Sequence, residues 1–292
     1  MQMKGILPAL VTPFDKSGAV DHDTLASIIE YQLKAGVSGF VPLGSTGEYY
    51  ALTNPERRQI LATVKEVVGD RGLLIAGANG SCTREVLEQV KQTVEAGYTN
   101  ILIAPPYYAL PSQPELIQHY KTILETFPEI NVVLYNYPVR TNVEVGYDVL
   151  AALADHPRVV GIKESSGNLL RAIEIGSTYK DKLQLSCGSD DQALDFFIWG
   201  ATSWICGPAN CFPDQVVDFY KKYSSGDLAG AQDVVRSLFP VMASMEEGKF
   251  VQKVKYGCEL AGFNAGEARA PLLPLTDDEK AAFRKVFEAS QR

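Results

Sequence analysis

Reactive side chains follow several short apolar runs of this sequence, at the points where those runs end. Lys163 comes straight after Val-Val-Gly-Ile, and Tyr135 closes the run Asn131–Tyr135. An amine in an apolar strand loses its proton more readily than one in water, and the neutral amine is the nucleophile that forms a Schiff base. A tyrosine beside it can move protons in that reaction, although core packing is the commoner role. The alternative for Lys163 is a side chain that reaches solvent or pairs with Glu164.

Two further features suit a carboxylate group. The segment Gly44–Gly47 is a small-residue turn whose backbone N–H groups can hold an anion, and the hydroxyls of Ser45 and Thr46 add donors. Arg140 carries a planar fork of donors that matches a carboxylate. An ordinary turn and a surface arginine are the alternatives for these two features.

The roles of two pairs of adjacent residues stay open from the sequence. Asp190 and Asp191 are candidates for binding substrate hydroxyls or for capping the helix that follows them. Tyr107 and Tyr108 suit either a protein interface or the core. Neither pair indicates one chemistry by itself.

The elements that would position these residues alternate along the chain, because short β-branched runs are followed by stretches of helical period. The predicted strands are Gly5–Thr12, Gly39–Leu43, Leu73–Ala76, Asn100–Ala104, Asn131–Tyr135, Val159–Lys163, Leu183–Cys187 and Ser203–Cys206. Runs this apolar are typical of parallel strands covered by helices. Eight such units predict the α/β fold class and, within it, a (β/α)8 TIM barrel. A doubly wound sheet is the alternative, and it is disfavoured because no G-x-G-x-x-G follows the first strand.

The strand rhythm stops after Phe212, and helical patterns continue beyond it. The predicted helices are Asp23–Lys34, Pro55–Val68, Thr83–Ala96, Pro114–Thr126, Pro213–Tyr223, Asp227–Ala243, Lys249–Ala261 and Asp277–Ser290. No linker rich in Pro, Gly or Ser separates the last helices. The sequence therefore predicts a barrel over residues 1–224 and a C-terminal helical extension over 225–292, packed on the barrel.

The composition restricts the partners and the compartment. Lys and Arg number 27 against 35 Asp and Glu, a formal charge of −8, so neither nucleic acid nor an anionic membrane is expected as a partner. Met1–Phe14 lacks the apolar stretch of a signal peptide, which predicts a cytoplasmic protein. Five cysteines without a C-x-x-C pair predict reduced thiols, and three widely separated histidines predict no metal site.

Four motifs give the chain a family resemblance. They are G-S-T-G-E at Gly44–Glu48, P-P-Y-Y at Pro105–Tyr108, Y-N-Y-P-V-R-T at Tyr135–Thr141 and G-I-K-E at Gly161–Glu164. In this order and spacing the chain resembles the dihydrodipicolinate synthase / N-acetylneuraminate lyase family of class I aldolase-type enzymes, over nearly its whole length. The resemblance implies a Schiff-base-forming lyase on a (β/α)8 barrel.

The resemblance also implies catalytic roles. Lys163 would condense with the ketone of pyruvate or a related 2-oxo acid. Tyr135 would transfer protons beside the imine, linked through Thr46 in a relay that Tyr108 completes from the neighbouring subunit of a tight dimer. The expected assembly is a homotetramer, a dimer of such dimers. No metal or organic cofactor is expected, because the protonated imine is itself the electron sink.

The implied substrate contacts leave the substrate open. Backbone N–H groups at Ser45 and Thr46 would hold the substrate carboxylate, and Gly188 and Ile205 would line the pyruvate pocket. Serine at position 45 resembles the residue that sugar-acid lyases carry there, since lysine-pathway synthases usually have two threonines at the positions of Ser45 and Thr46. Arg140, by contrast, matches the synthase arginine that holds a second carboxylate.

Other positions point in both directions. Asp191 stands where sugar-acid lyases carry an acidic residue for hydroxyl recognition, and Tyr49-Tyr50 disfavour a lysine feedback site. The leading expectation is a 4-hydroxy-tetrahydrodipicolinate synthase-like reaction of pyruvate with aspartate semialdehyde. The alternatives are a 2-keto-3-deoxy sugar-acid aldolase or dehydratase and a hydroxy-pyrroline-carboxylate deaminase. A non-enzymatic 2-oxo-acid-binding protein is disfavoured by the presence of the lysine.

Overall fold

The computed structural model describes residues 1–291, and these form two compact units. Unit 1 consists of residues 1–4 and 74–205, and unit 2 of residues 5–73 and those from 206 onward. Strands and helices alternate in both units. Within residues 1–291, no helix has both the length and the apolar character needed to cross a membrane.

Strands and helices are numbered separately, each in chain order. The strands are β1 (Gly5–Pro8), β2 (Gly39–Phe40), β3 (Leu73–Leu74), β4 (Ala76–Gly77), β5 (Asn100–Ile103), β6 (Asn131–Asn136), β7 (Val159–Glu164), β8 (Gln184–Cys187) and β9 (Ser203–Cys206). The α-helices are α1 (His22–Ala35), α2 (Asn54–Val68), α3 (Thr83–Glu95), α4 (Gln113–Thr126), α5 (Pro138–Thr141), α6 (Tyr147–Leu153), α7 (Leu169–Thr178), α8 (Ala193–Ile198), α9 (Pro213–Ser224), α10 (Leu228–Glu246), α11 (Phe250–Leu260) and α12 (Asp277–Ser290). Short 3-10 helices lie at Tyr49–Ala51, Asp190–Gln192 and Pro208–Asn210.

Unit 1 is built on a parallel sheet in which strands that follow one another in sequence are neighbours. The ladder runs from β4 through β5, β6, β7 and β8 to β9. Most side chains of β6 and β7 are buried, as expected for parallel strands covered by helices. The predicted bounds of β5 to β9 are confirmed to within a residue at each end.

Unit 2 contains β1 and β2, whose carboxyl ends are linked in parallel. The Val41 N–H, just after β2, donates to the Pro8 carbonyl at 2.9 Å. Both strands are shorter than predicted. β2 stops at Phe40 because Pro42 has no N–H to donate and Leu43 takes a left-handed backbone conformation with φ of 58°. The predicted third strand is divided at Ile75 into β3 and β4.

Local capping explains why the long helices were predictable. Thr53 and Glu56 form a capping box at the start of α2, and Ser112 with Glu115 and Thr276 with Glu279 do the same for α4 and α12. The predicted helix bounds agree with the structure to within three residues. The division of the chain at residue 225 stays a prediction.

An ion pair within unit 2 makes the stability depend on acid pH. The Arg269 guanidinium bonds the carboxylate of Glu56 and holds its pKa at about 2, below the ordinary value of 4.5. A carboxyl with a lowered folded-state pKa stabilises the fold above 4.5 and loses that contribution as the pH falls towards 2. We expect Glu56→Gln to cost about 1 kcal/mol at pH 7, since the pair is partly open to water, and to flatten the loss of stability over that window.

Urea unfolding at several pH values checks this expectation. Glu30→Gln, which removes the exposed carboxylate partner of Arg71, is the matched control. The expectation is wrong if the wild type and Glu56→Gln lose stability in parallel between pH 4.5 and 2.

Candidate active site

Unit 1 brings Lys163 and Tyr135 together. The two residues face each other in the register of neighbouring strands β7 and β6, close to the carboxyl ends of both. The Lys163 Nζ atom lies 4.5 Å from the centre of the Tyr135 ring. Both side chains are buried, 7% and 4% exposed. An amine and a phenol thus meet in an environment that excludes most water.

The alternative interpretations of Lys163 are wrong. Its side chain is buried, so it does not extend into solvent. Glu164 does not pair with it, because successive side chains of a strand point to opposite faces, and Glu164 bonds Arg171 at 3.2 Å instead. Among the described residues no carboxylate lies within ion-pair distance of Lys163. Its amine is therefore not held by a salt bridge.

Gly188 lies against the Lys163 side chain, at the end of β8. Its N–H donates to the Glu164 carbonyl at 2.9 Å. A β-carbon built on Gly188 would overlap Ser165 Oγ and lie 2.8 Å from Lys163 Cε. Ile205, also predicted to line the pocket, is buried in β9 of the same unit.

Gly188→Ala is therefore expected to displace Lys163 and to destabilise the fold by about 1–3 kcal/mol, as overpacked sites do. The rate of reaction at the amine should fall with it, because a displacement of about 1 Å can cost a hundredfold in rate. Thermal unfolding and activity measure the two effects. Adding Ser165→Gly should recover part of both; no recovery would show that Ser165 is not the obstacle.

Sequence reasoning missed Ser165, two residues after Lys163. Its hydroxyl is buried and finds no hydrogen-bond partner among the described residues. A buried polar group without a partner costs free energy, so such groups mark sites where a ligand can supply the bond. Its place beside the G-I-K-E motif was the signal that could have found it.

Three other predicted residues belong to unit 1 but are less enclosed. Arg140 is exposed on α5, with its guanidinium carbon 5.9 Å from the centre of the Tyr137 ring. Tyr108 is 86% exposed, which excludes the core alternative for its side chain. Asp191 is half-buried in the 3-10 helix before α8. None of these placements assigns a role by itself.

Asp190 makes a buried hydrogen bond that was not predicted. Its side chain is buried and accepts a hydrogen bond from Trp204 Nε1 at 2.9 Å, which ties the loop after β8 to β9. In the described structure no side chain caps α8, which begins after Gln192. The capping interpretation of Asp190 and Asp191 is therefore wrong.

Unit 2 holds the turn that carries Ser45 and Thr46. Leu43 and Glu48, on either side of it, have positive φ angles of 58° and 54°, which non-glycine residues rarely adopt. Thr12 Oγ1 donates to the Gly47 carbonyl at 2.7 Å. Within residues 1–291 the backbone N–H groups of Ser45 and Thr46 donate to no protein acceptor. They are thus available to an anion.

A buried ion pair supports this turn and was not predicted. Lys255 Nζ lies 2.7 Å from Glu48 Oε1, and both side chains are almost fully buried. The Arg269 N–H donates to Glu48 Oε2 at 2.8 Å. Glu48 and Lys255 are 207 residues apart (255 − 48) in the sequence, so no local pattern could join them. Across the described residues no group of three or more His, Cys, Asp or Glu side chains is arranged to hold a metal ion.

Residues 2–290 match the sequence profile of the Dihydrodipicolinate synthetase family. The chain belongs to this family. A 4-hydroxy-tetrahydrodipicolinate synthase from Methanoculleus marisnigri is 37% identical over 287 residues, which cover 97% of this chain and 98% of that one. The family assignment confirms the predicted enzyme class, a lyase.

Solved structures of the dihydrodipicolinate synthetase family agree with the fold. A dihydrodipicolinate synthase from Thermotoga maritima gives a TM-score of 0.95 at 32% identity, covering 100% of this chain and 99% of that one. A chloride-inhibited dihydrodipicolinate synthase from Acinetobacter baumannii, complexed with pyruvate, gives 0.95 at 29% identity, covering 99% of each chain. The predicted fold class, a (β/α)8 barrel with a C-terminal helical extension, is confirmed.

Proposed function

We propose that this protein forms a Schiff base between Lys163 and pyruvate, and that it condenses the product with aspartate semialdehyde as a 4-hydroxy-tetrahydrodipicolinate synthase does. The observation that carries the proposal is the buried contact of Lys163 with Tyr135 at the ends of β7 and β6. The names of the relatives and the pyruvate bound to one of them support this choice of substrates.

In the proposed reaction the neutral Lys163 amine attacks the ketone carbon of pyruvate. The carbinolamine oxygen takes up a proton and leaves as water, which produces the protonated imine. Loss of a proton from the methyl carbon then gives an enamine, whose carbon adds to the aldehyde. Tyr135 is proposed to move protons in these steps, because its phenol lies beside the amine.

The remaining roles are proposals that rest on the family resemblance. The unpaired N–H groups at Ser45 and Thr46 are proposed to hold the pyruvate carboxylate. Arg140 is proposed to bind the carboxylate of the second substrate, and its exposure on α5 suits a group that meets an entering molecule. Gly188 and Ile205 are proposed to shape the pyruvate pocket.

Assembly and compartment are also proposals. We propose a homotetramer built from tight dimers. In each dimer the proton relay would run from Tyr135 through Thr46 and be completed by Tyr108 of the neighbouring subunit. The 86% exposure of the Tyr108 side chain leaves it open to such a contact. A cytoplasmic location is proposed with it. Sedimentation of the wild type and of Tyr108→Ala tests the assembly, and a monomeric wild type with full activity would contradict it.

Trapping with borohydride tests the proposed chemistry. The protein is incubated with pyruvate and sodium borohydride, weighed by mass spectrometry and digested to locate the modified residue. We expect one reduced pyruvate adduct per chain, on Lys163. No adduct, or an adduct on another lysine, overturns the proposal.

Tyr135→Phe is expected to lower the rate of imine formation by about 10²–10⁴-fold, the usual range for loss of one acid–base group. The phenylalanine ring keeps the packing against Lys163, so the fold should be unchanged. Quenched-flow trapping with borohydride measures the rate. Tyr137→Phe, on the neighbouring stacked ring, is the control. Equal rates in both variants would remove Tyr135 from the mechanism.

One observation favours a second candidate function, a lyase or dehydratase of 2-keto-3-deoxy sugar acids. The unpartnered Ser165 hydroxyl beside Gly188 would gain a hydrogen bond from a hydroxylated substrate. Assays of aspartate semialdehyde with pyruvate against a panel of deoxy-keto sugar acids separate the two. The second function is favoured if the protein turns over a sugar acid, if Ser165→Ala abolishes that turnover, and if aspartate semialdehyde with pyruvate gives no product.

A further inference from the structure

Three buried polar side chains lie directly behind the Lys163–Tyr135 contact. Asn136 follows Tyr135 on β6, Glu164 follows Lys163 on β7, and these two also face each other in the register. Because side chains alternate along a strand, Asn136 and Glu164 point to the face opposite Tyr135 and Lys163. Arg171 reaches the same place from α7. We call these residues the Asn136–Glu164–Arg171 cluster.

The cluster joins the two strands side chain to side chain. Asn136 Nδ2 donates to both Glu164 oxygens, at 3.0 and 2.9 Å. Arg171 Nε donates to the same carboxylate at 3.2 Å, and the Ser166 N–H donates at 2.7 Å. Asn136 and Glu164 are fully buried. A carboxylate removed from water is retained only where charged and polar donors satisfy it, as here.

Backbone pairing between β6 and β7 is regular at this end of the two strands, from Val133 to Asn136, and the side-chain bonds of the cluster add to it. The register between β6 and β7 shifts between Val132 and Val133, near the start of β6. A one-residue slip in a strand moves every side chain to the other face. A slip here would separate Lys163 from Tyr135. The Asn136–Glu164 bond lies one residue beyond this pair and therefore opposes such a slip.

The cluster also holds the segment that carries Arg140. Asn136 Oδ1 accepts from the Val145 N–H at 2.9 Å, and Arg171 Nη2 donates to the Val145 carbonyl at 2.8 Å. Asn136 and Val145 bracket the turn that contains α5 and Arg140. Both ends of that turn are therefore attached to one buried group of side chains.

We propose that the Asn136–Glu164–Arg171 cluster is a positioning device that sets the contact of Lys163 with Tyr135 and fixes the Arg140 turn. The proposal rests on the proposed function, since it assigns these residues to the imine reaction. None of the three touches the reacting atoms. Their effect is on rate and substrate binding through the residues they hold.

Glu164→Gln tests the first part. The amide keeps the size of the side chain, and Arg171 keeps a charged neighbour in Glu144 at 3.3 Å, which favours a folded variant. We expect imine formation with pyruvate to slow by about 10- to 100-fold, because the reacting groups are displaced. The double variant Asn136→Asp with Glu164→Gln restores one carboxylate facing one amide, and should return the rate to within about threefold of wild type.

Arg158→Met is the matched control for stability. Arg158 precedes β7 and donates to the carbonyls of Phe127 and Leu124 at 2.8 and 2.6 Å, at the end of the strand away from Lys163. Its loss should lower the melting temperature but leave the rate of imine formation unchanged. A slowing equal to that of Glu164→Gln would show that the rate follows stability alone, and would overturn the proposal.

Arg171→Lys tests the second part and remains informative if Glu164→Gln does not fold. Lysine keeps the charge beside Glu164 but cannot also reach the Val145 carbonyl. We expect a KM for aspartate semialdehyde raised about tenfold, because the Arg140 turn is loosened, and a smaller slowing of imine formation than in Glu164→Gln, because the charge beside Glu164 is kept. An unchanged KM overturns this part. If the wild type itself forms no adduct, the proposed function fails; if wild type and Glu164→Gln react equally fast, only the positioning role fails.

Discussion

Lys163→Ala is expected to lower kcat/KM for the pyruvate reaction by at least about 10⁴-fold, as the loss of a covalent nucleophile does. Lys163 supplies the amine that becomes part of the intermediate, so neither Tyr135 nor a bound water can replace it. The borohydride adduct should disappear completely. Exogenous ethylamine should not restore more than a small part of the rate, because the amine would lack the orientation that β7 imposes.

The fold should survive this substitution. In the described residues no carboxylate is paired with Lys163, so its removal leaves no uncompensated buried charge. We expect a melting temperature close to that of the wild type. Lys182→Ala is the control, since Lys182 is an exposed lysine of the same unit that pairs with Asp155 at 2.7 Å. Residual adduct formation in Lys163→Ala at more than a trace would place the reactive amine elsewhere.

Lys163 and Tyr135 were predictable because each ends an apolar run, and the carboxyl ends of parallel strands meet at one edge of a sheet. Helix ends were predictable for a similar reason, since the capping boxes at Thr53 and Ser112 lie within three residues of the groups they bond. Both signals are local. The family motifs added the substrate class, which spacing alone does not contain.

The residues that sequence reasoning missed depend on contacts between distant segments. The bond of Asn136 to Glu164 requires the register of two strands, and the free hydroxyl of Ser165 depends on the close approach of Gly188. The bond of Asp190 to Trp204 was not predicted because Trp204 lies on the next strand. Polar side chains in such places are ambiguous in sequence, since capping, binding and buried bonding use the same residue types.

Lys255→Met is expected to destabilise the chain by about 3–5 kcal/mol, the range for breaking a buried ion pair from one side. The methionine fills the space of the lysine stem but leaves the Glu48 carboxylate without its cation at 2.7 Å. It also removes the bond from Lys255 Nζ to the Glu267 carbonyl at 3.0 Å and the contact with the Phe14 ring at 4.0 Å. Urea unfolding followed by circular dichroism measures the loss.

Glu48→Gln should cost less than Lys255→Met. Burial lowers the pKa of Lys255, and Glu48 opposes that effect by stabilising the charged amine. In Glu48→Gln the buried Lys255 amine can lose its proton and so avoid an unpaired charge. In Lys255→Met the Glu48 carboxylate keeps the hydrogen bond from the Arg269 backbone N–H but has no counter-charge at bonding distance. Comparing the stability losses of the two single variants therefore shows which residue, Glu48 or Lys255, costs less free energy when its partner is removed.

The double variant Glu48→Gln with Lys255→Met separates charge from shape. Because a neutral pair of similar volume is often as stable as the ion pair it replaces, we expect most of the loss in Lys255→Met to be recovered. The bonds of the Glu48 side chain help to hold its left-handed backbone, and glutamine can still accept from the Arg269 backbone N–H. If the double variant is less stable than Lys255→Met, the anchoring of Glu48 requires its charge, and the strained turn at Ser45 and Thr46 depends on an ion pair rather than on packing.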